Sequence, residues 1–82
     1  MCEQKVILKH ICYTPLVYER INKKLAARLT HQQIEALLIK TIETASQIER
    51  RGKNFYVVNS EQQIQVTVNA NNYRVITVDR LK

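Results

Sequence analysis

Eighty-two residues, 45% of them apolar and 24% charged, exclude a multidomain assembly and a disordered tail, and leave room for one core of modest stability. A net charge of +6 makes polyanions the leading partner class, because released counterions favour such binding; the other reading of that charge is solubility alone. The charge is uneven. It is +4 over residues 1–29, −1 over residues 30–46 and +3 over residues 47–82, so the acidic middle is expected to face away from a polyanion.

No apolar run approaches the roughly 20 residues of a membrane span, and Val6-Ile7-Leu8 is too short for a secretory-signal core. Cys2 and Cys12 are too few for a disulfide framework and read as reduced thiols. The expected location is the cytoplasm.

The first patterned stretch, Gln4 to Cys12, places Ile7, Leu8 and Ile11 on one side of a short helix and Lys5 and Lys9 on another. Tyr13-Thr14-Pro15 ends it, and Thr14 before Pro15 has the order of an N-cap and a first helical residue. The second helix starts there, with Val17, Ile21 and Leu25 as its packing line. Arg20, Lys24 and Arg28 run parallel to that line, about 100° round the helix. Thr30-His31-Gln32-Gln33 reads as a capping box, with Leu29 and Ile34 as its hydrophobic staple. A third helix then runs to about Ala45 through Ile34, Leu37, Leu38, Thr41 and Ile42.

After Ser46 the period changes to two. Gln47 to Arg50 reads as an edge strand leading into Gly52, the only glycine, where backbone freedom is placed between the two halves. Asn54 to Asn59 follows, with Phe55 and Val57 on one face and Tyr56 and Val58 on the other. Ser60-Glu61 reads as a turn. Gln63 to Val68 then alternates, sending Ile64, Val66 and Val68 to the core and Gln63, Gln65 and Thr67 to water. Asn71-Asn72 suit the left-handed positions of a tight hairpin, and Tyr73 to Asp79 forms the last strand. That strand has an edge to offer, so monomer and homodimer both stay open. The helical half, 1–46, can bury its stripe only against the sheet half, 47–82. The expected fold is a single α+β domain over residues 1–82, two or three N-terminal helices packed on one face of a three- or four-stranded antiparallel sheet.

Arg51-Gly52-Lys53-Asn54-Phe55-Tyr56, then Thr67-Val68-Asn69-Ala70, Tyr73 and Ile76-Thr77, form an ordered set that resembles a small bacterial family catalogued as domain of unknown function three-seven-eight-one. Thr14 and Glu19-Arg20-Ile21 extend the resemblance, which spans most of residues 13–80. The family pattern has histidine where this chain has Tyr13 and Asp79, so no histidine chemistry carries over. The resemblance implies a fold and a choice of site, and no activity. In build, helices before a small sheet in a basic chain, the sequence is also similar to RelE-like and BrnT-like ribonuclease toxins, an analogy of fold only.

The chemistry-bearing residues are cationic. Arg20, Lys24 and Arg28 on the second helix join Arg50, Arg51, Lys53 and Arg74; guanidinium forks bind phosphate in bidentate fashion, and Gly52 lets backbone approach closely. Tyr56 and Tyr73 are candidates for stacking on unpaired bases. Asn54, Asn69, Asn72 and Thr77 can read bases or a partner, although Asn72 is also a turn residue and Asn69 a strand-end residue. The expected function is a small basic nucleic-acid-binding module, RNA preferred, using Arg20, Lys24, Arg28, Arg51, Lys53, Asn54, Tyr56, Tyr73 and Arg74.

Two other readings stay open. One is a metal-independent endoribonuclease, with Lys53, Arg51 and Arg74 supplying charge and His10, Glu49 or Tyr56 moving protons. The other is a protein-binding module or inhibitor carried by a mobile element. No cofactor or metal is expected: Cys2, His10, Cys12 and His31 fit none of the short paired spacings of zinc modules. His31, in the first turn of a helix, is expected to be neutral and exposed. No P-loop, dinucleotide fingerprint, nucleophile elbow or carboxylate pair is present.

Overall fold

A computed structural model describes residues 2–81, and of Cys2 the backbone alone. Three helices come first, α1 (Cys2–His10), α2 (Pro15–Leu25) and α3 (His31–Glu43). Four strands follow, β1 (Gln47–Arg51), β2 (Asn54–Asn59), β3 (Ile64–Asn69) and β4 (Val75–Arg80), in one antiparallel sheet of order β1-β2-β3-β4. The arrangement is α+β. α2 packs along β4, α3 packs on β2 and β3, and α1 leans on α3.

α2 starts as its sequence dictates. Pro15 takes the first helical position and Thr14 is extended at the N-cap, although its hydroxyl makes no capping bond. Val17, Ile21 and Leu25 are all buried. The end differs from expectation: Ala26 turns into the left-handed region at φ 51°, Ala26 N–H bonds Lys23 O and Ala27 N–H bonds Asn22 O. This is a Schellman stop with alanine where glycine is usual. Arg28 therefore lies beyond the helix and off the line of Arg20 and Lys24. Asn22 braces the new direction, donating to Leu29 O at 3.0 Å and accepting from Leu29 N–H at 2.9 Å.

The capping box forms at α3: Gln33 N–H donates to Thr30 Oγ1 at 3.1 Å and Thr30 N–H to Gln33 Oε1 at 2.8 Å. At the other end α3 stops at Glu43, before Ala45, and Gln4 Nε2 of α1 donates to the carbonyls of Ile42, which also accepts Ala45 N–H, and Glu43. Asn59, fully buried, ties the same end to the sheet. Its Nδ2 donates to Thr41 O at 3.1 Å and Thr44 Oγ1 at 2.9 Å, and its Oδ1 accepts from Gln62 N–H. A buried amide satisfied on both sides fixes register where apolar packing alone would allow sliding.

Alternation sets the sheet faces. Phe55, Val57, Ile64, Val66, Val68, Val75 and Val78 join Ile7, Ile34, Leu38 and Ile42 in the core. The opposite face carries Glu49, Tyr56, Thr67 and Thr77 in one register row, and Arg51, Asn54 and Asn69 in the next. Thr67, expected to face water, is only 6% exposed, because it is a central-strand residue flanked by Tyr56 and Thr77. β1 and β2 are joined by Gly52-Lys53 alone. Gly52 has φ 59° at the first central position, the place of glycine in a II′ hairpin.

The β3–β4 connection departs further from expectation. Neither Asn71 nor Asn72 is left-handed; Tyr73 is, at φ 58°. The asparagines act through Asn69 instead, whose Oδ1 accepts from the N–H groups of Asn71 and Asn72. Tyr73 and Arg74 precede β4 rather than opening it. Cys12 bridges to Arg74, exchanging backbone bonds with Tyr73 and Val75, so the start of the outer β4 edge is occupied. Among the described residues no strand pairs with the outer side of β1, and its exposed Glu49, Arg50 and Arg51 guard it against edge pairing. Among the described residues no helix is long and apolar enough to cross a membrane. The expected thiol pair involves the Cys2 side chain, which lies outside the described residues; Cys12 is free and exposed.

Candidate functional site

α2 is pinned along β4 by polar contacts as well as by its apolar line. Arg20 Nη1 donates to Ile76 O at 3.2 Å, Lys24 pairs with Asp79 at 3.1 Å, and Arg80 donates to Leu25 O at the helix C-terminus. Between the first turns of α2 and the β3–β4 turn this leaves a cleft of about 280 Å³. Its polar wall is Thr14, Arg20, Asn69, Asn72 and Arg74, and its apolar wall is Leu16, Val17, Val75 and Ile76.

Apart from the Thr14 hydroxyl, which can donate or accept, the polar side chains of the wall present donors. Asn69 Oδ1 is occupied by two backbone N–H groups, at 2.7 and 3.1 Å, and Asn72 Oδ1 accepts Arg74 N–H at 3.0 Å. These bonds orient both amides and leave their NH₂ groups without an acceptor among the described residues. Among the described residues Arg74 makes no side-chain ion pair, and no carboxylate lines the cleft. Two guanidinium groups facing one cleft repel each other, and an anion between them converts that repulsion into attraction.

The other expected site residues are dispersed. Arg51 lies over the Tyr56 ring, 4.9 Å from its centroid, and its Nε is 3.3 Å from Glu49 Oε1, all on the helix-free face. Arg50 takes the opposite face, 5.9 Å from the Phe55 centroid. Tyr73 also packs there, against Phe55 at 6.3 Å and His10 at 5.4 Å. Tyr56 and Tyr73 therefore face opposite sides of the sheet and form no common stacking platform. Lys53 is exposed on the hairpin turn, Arg28 is exposed beyond α2, and Lys24 is engaged by Asp79. Asn54 stands opposite both Arg51 and Asn69, so the row Arg51-Asn54-Asn69 runs across the sheet into the cleft. The three residues considered for proton transfer, His10, Glu49 and Tyr56, do not line it.

A second titratable cluster joins α2 to α3. Tyr18 stacks on His31 at 3.7 Å and on Tyr13 at 5.9 Å, and donates to Glu35 Oε2 at 2.9 Å. His31 is exposed, as expected. Burial, then the Glu35 carboxylate and then Tyr18, push the Tyr13 hydroxyl up to about 12. Burial and the bond to Glu35 raise Tyr18 as well. Among the described residues no group of three or more His, Cys, Asp or Glu could hold a metal ion.

Leu16 was not singled out from sequence. Its signal is its position off the line of Val17, Ile21 and Leu25, which leaves it 72% exposed at the helix start. Asn69 and Asn72 were singled out, but their free amides depend on turn bonds that spacing does not show. No curated protein and no solved structure matches the chain. Of the residues that carry the family resemblance, Thr14, Arg20, Asn69 and Ile76 line the cleft, whereas the Arg51 to Tyr56 segment lies away from it. A family model described as Protein of unknown function (DUF3781) matches residues 5–79, and the chain belongs to that family.

Proposed function

We propose that the protein is a nucleic-acid-binding module, RNA preferred, that holds a backbone phosphate in the cleft between α2 and the β3–β4 turn. The supporting observation is the donor-rich polar wall: Arg20 and Arg74 with the amide NH₂ groups of Asn69 and Asn72, the Thr14 hydroxyl beside them, and no carboxylate among the lining residues. Charge-assisted bonds of this kind are worth about 1.5–3 kcal/mol each. The row Arg51-Asn54-Asn69 gives a strand a path from the cleft across three β-strands, about 10 Å at the usual inter-strand spacing. The cleft lining contains no His, Glu, Asp or Tyr, so the reading is of binding rather than cleavage.

Fluorescence anisotropy with a labelled single-stranded RNA dodecamer tests this. Affinity should fall steeply between about 50 and 200 mM salt, and Arg74→Ala should weaken it about tenfold while reducing the salt slope by about one. A flat salt response, or full affinity in Arg74→Ala, would remove the proposal.

A further inference from the structure

We infer that the cleft takes a nucleotide in two parts, a phosphate on its donor wall and an unpaired base against its apolar wall, which makes the protein selective for single strands. The inference rests on the nucleic-acid reading above and adds to it the state of the base.

Three observations carry it. The cleft has two chemically distinct sides: Arg20, Arg74 and two amide NH₂ groups on one, and Leu16, Val17, Val75 and Ile76 on the other. A phosphate alone would engage only the first. Among the described residues Leu16 is the most exposed large hydrophobic, at 72%, while Val17 and Val75 are each 3% exposed. An apolar residue left in water beside two guanidinium groups is matched by a ligand with a flat apolar body next to a negative charge. The volume, about 280 Å³, lies just below the range of small-ligand pockets, about 300–1,000 Å³. That suits one nucleotide-sized fragment and is far below a groove for a double helix.

Paired bases are stacked inside a duplex, which offers the cleft sugar, phosphate and base edges but no base face. An unpaired base can leave its neighbours and lie on Leu16 while its phosphate stays on Arg20 and Arg74. The Asn69 and Asn72 amides then have two sorts of acceptor in reach, phosphate oxygens and base carbonyls.

The test uses the full chain and four probes in one buffer: a single-stranded RNA dodecamer, the same sequence as a duplex, a dodecamer of abasic units with equal phosphate count, and adenosine monophosphate. The single strand should bind about tenfold more tightly than the duplex and the abasic strand. Leu16→Ala, at an exposed position that leaves folding intact, should lower single-strand affinity about threefold and leave abasic affinity unchanged. Adenosine monophosphate binding as tightly as the strand would support the two-part site with a free nucleotide as its source; binding in the millimolar range or weaker would assign the source to a strand. Equal affinity for the three oligomers, with no effect of Leu16→Ala, overturns the inference and leaves phosphate binding intact. No binding of any probe overturns both.

Discussion

Two basic regions of this molecule behave oppositely. Arg50 and Arg51 are neighbours in sequence, yet strand geometry sends them to opposite faces, Arg50 over Phe55 and Arg51 over Tyr56 beside Glu49. Arg20 and Arg74 are far apart in sequence, yet they line one cleft because α2 lies along β4. A run of charges in a strand is divided by the pleat. Charges on a helix and on the turn it packs against can converge, and here they do so without a carboxylate between them.

The sharpest break of that comparison is double replacement at the cleft. Arg20→Ala with Arg74→Ala should lower RNA affinity on the order of 100-fold, from the loss of two charge-assisted contacts; competition anisotropy at fixed salt reads it. An affinity loss below fivefold would move the site elsewhere.

Next in size is an alkaline effect at Tyr13, in the cluster with Tyr18 and Glu35. Its hydroxyl is held at about 12 by burial first and by Glu35 second, against 10.0 for the free group. Below pH 10 both folded and unfolded chains keep the proton, so the contribution is fully present and flat. Between pH 10 and 12 the unfolded chain ionises while the folded one does not, so stability is lost as pH rises. At about 1.4 kcal/mol per unit, discounted for partial exposure, the loss is on the order of 1–2 kcal/mol. The hydroxyl has no hydrogen-bond partner among the described residues, so Tyr13→Phe should be neutral or stabilising at pH 8 and should flatten the fall to pH 11. Urea midpoints at the two pH values decide it; a variant that falls as steeply as the parent would contradict the assignment.

A smaller effect separates the regions from the other side. Gly52 holds φ 59° with open space around its missing side chain, so Gly52→Ala should cost about 1 kcal/mol through backbone strain alone. RNA affinity should not change, whereas a matching loss of affinity would place the phosphate at the hairpin turn. The smallest expected effect is that of Arg51→Ala. Its ion pair with Glu49 is exposed, so stability should move by less than about 0.5 kcal/mol, and affinity by about twofold.

What was legible in the sequence was local. The Thr30–Gln33 capping box, the Val17-Ile21-Leu25 line and the alternation of Phe55 to Val58 each follow from spacing within one element, and each is where it was expected. The end of α2 was not legible, since the residue that turns left-handed is Ala26 and carries no glycine signal. The same holds for Tyr73, whose positive φ is imposed by the Asn69 turn and the Cys12 bridge. The division of Arg50 from Arg51 could be read from the period of two. The cleft could not, because it depends on where α2 lies relative to β4 and on turn bonds that consume the Asn69 and Asn72 carbonyls.

The central claim is that the phosphate sits between Arg20 and Arg74. A titration of isotopically labelled protein with single-stranded RNA, followed by amide and arginine side-chain NMR shifts, tests it most directly. The account predicts that the largest changes fall on Leu16, Asn72 and the Arg20 and Arg74 side chains, with smaller ones along Asn54 and Arg51. Changes centred on Gly52, Lys53 and Tyr56, with the cleft silent, would contradict it.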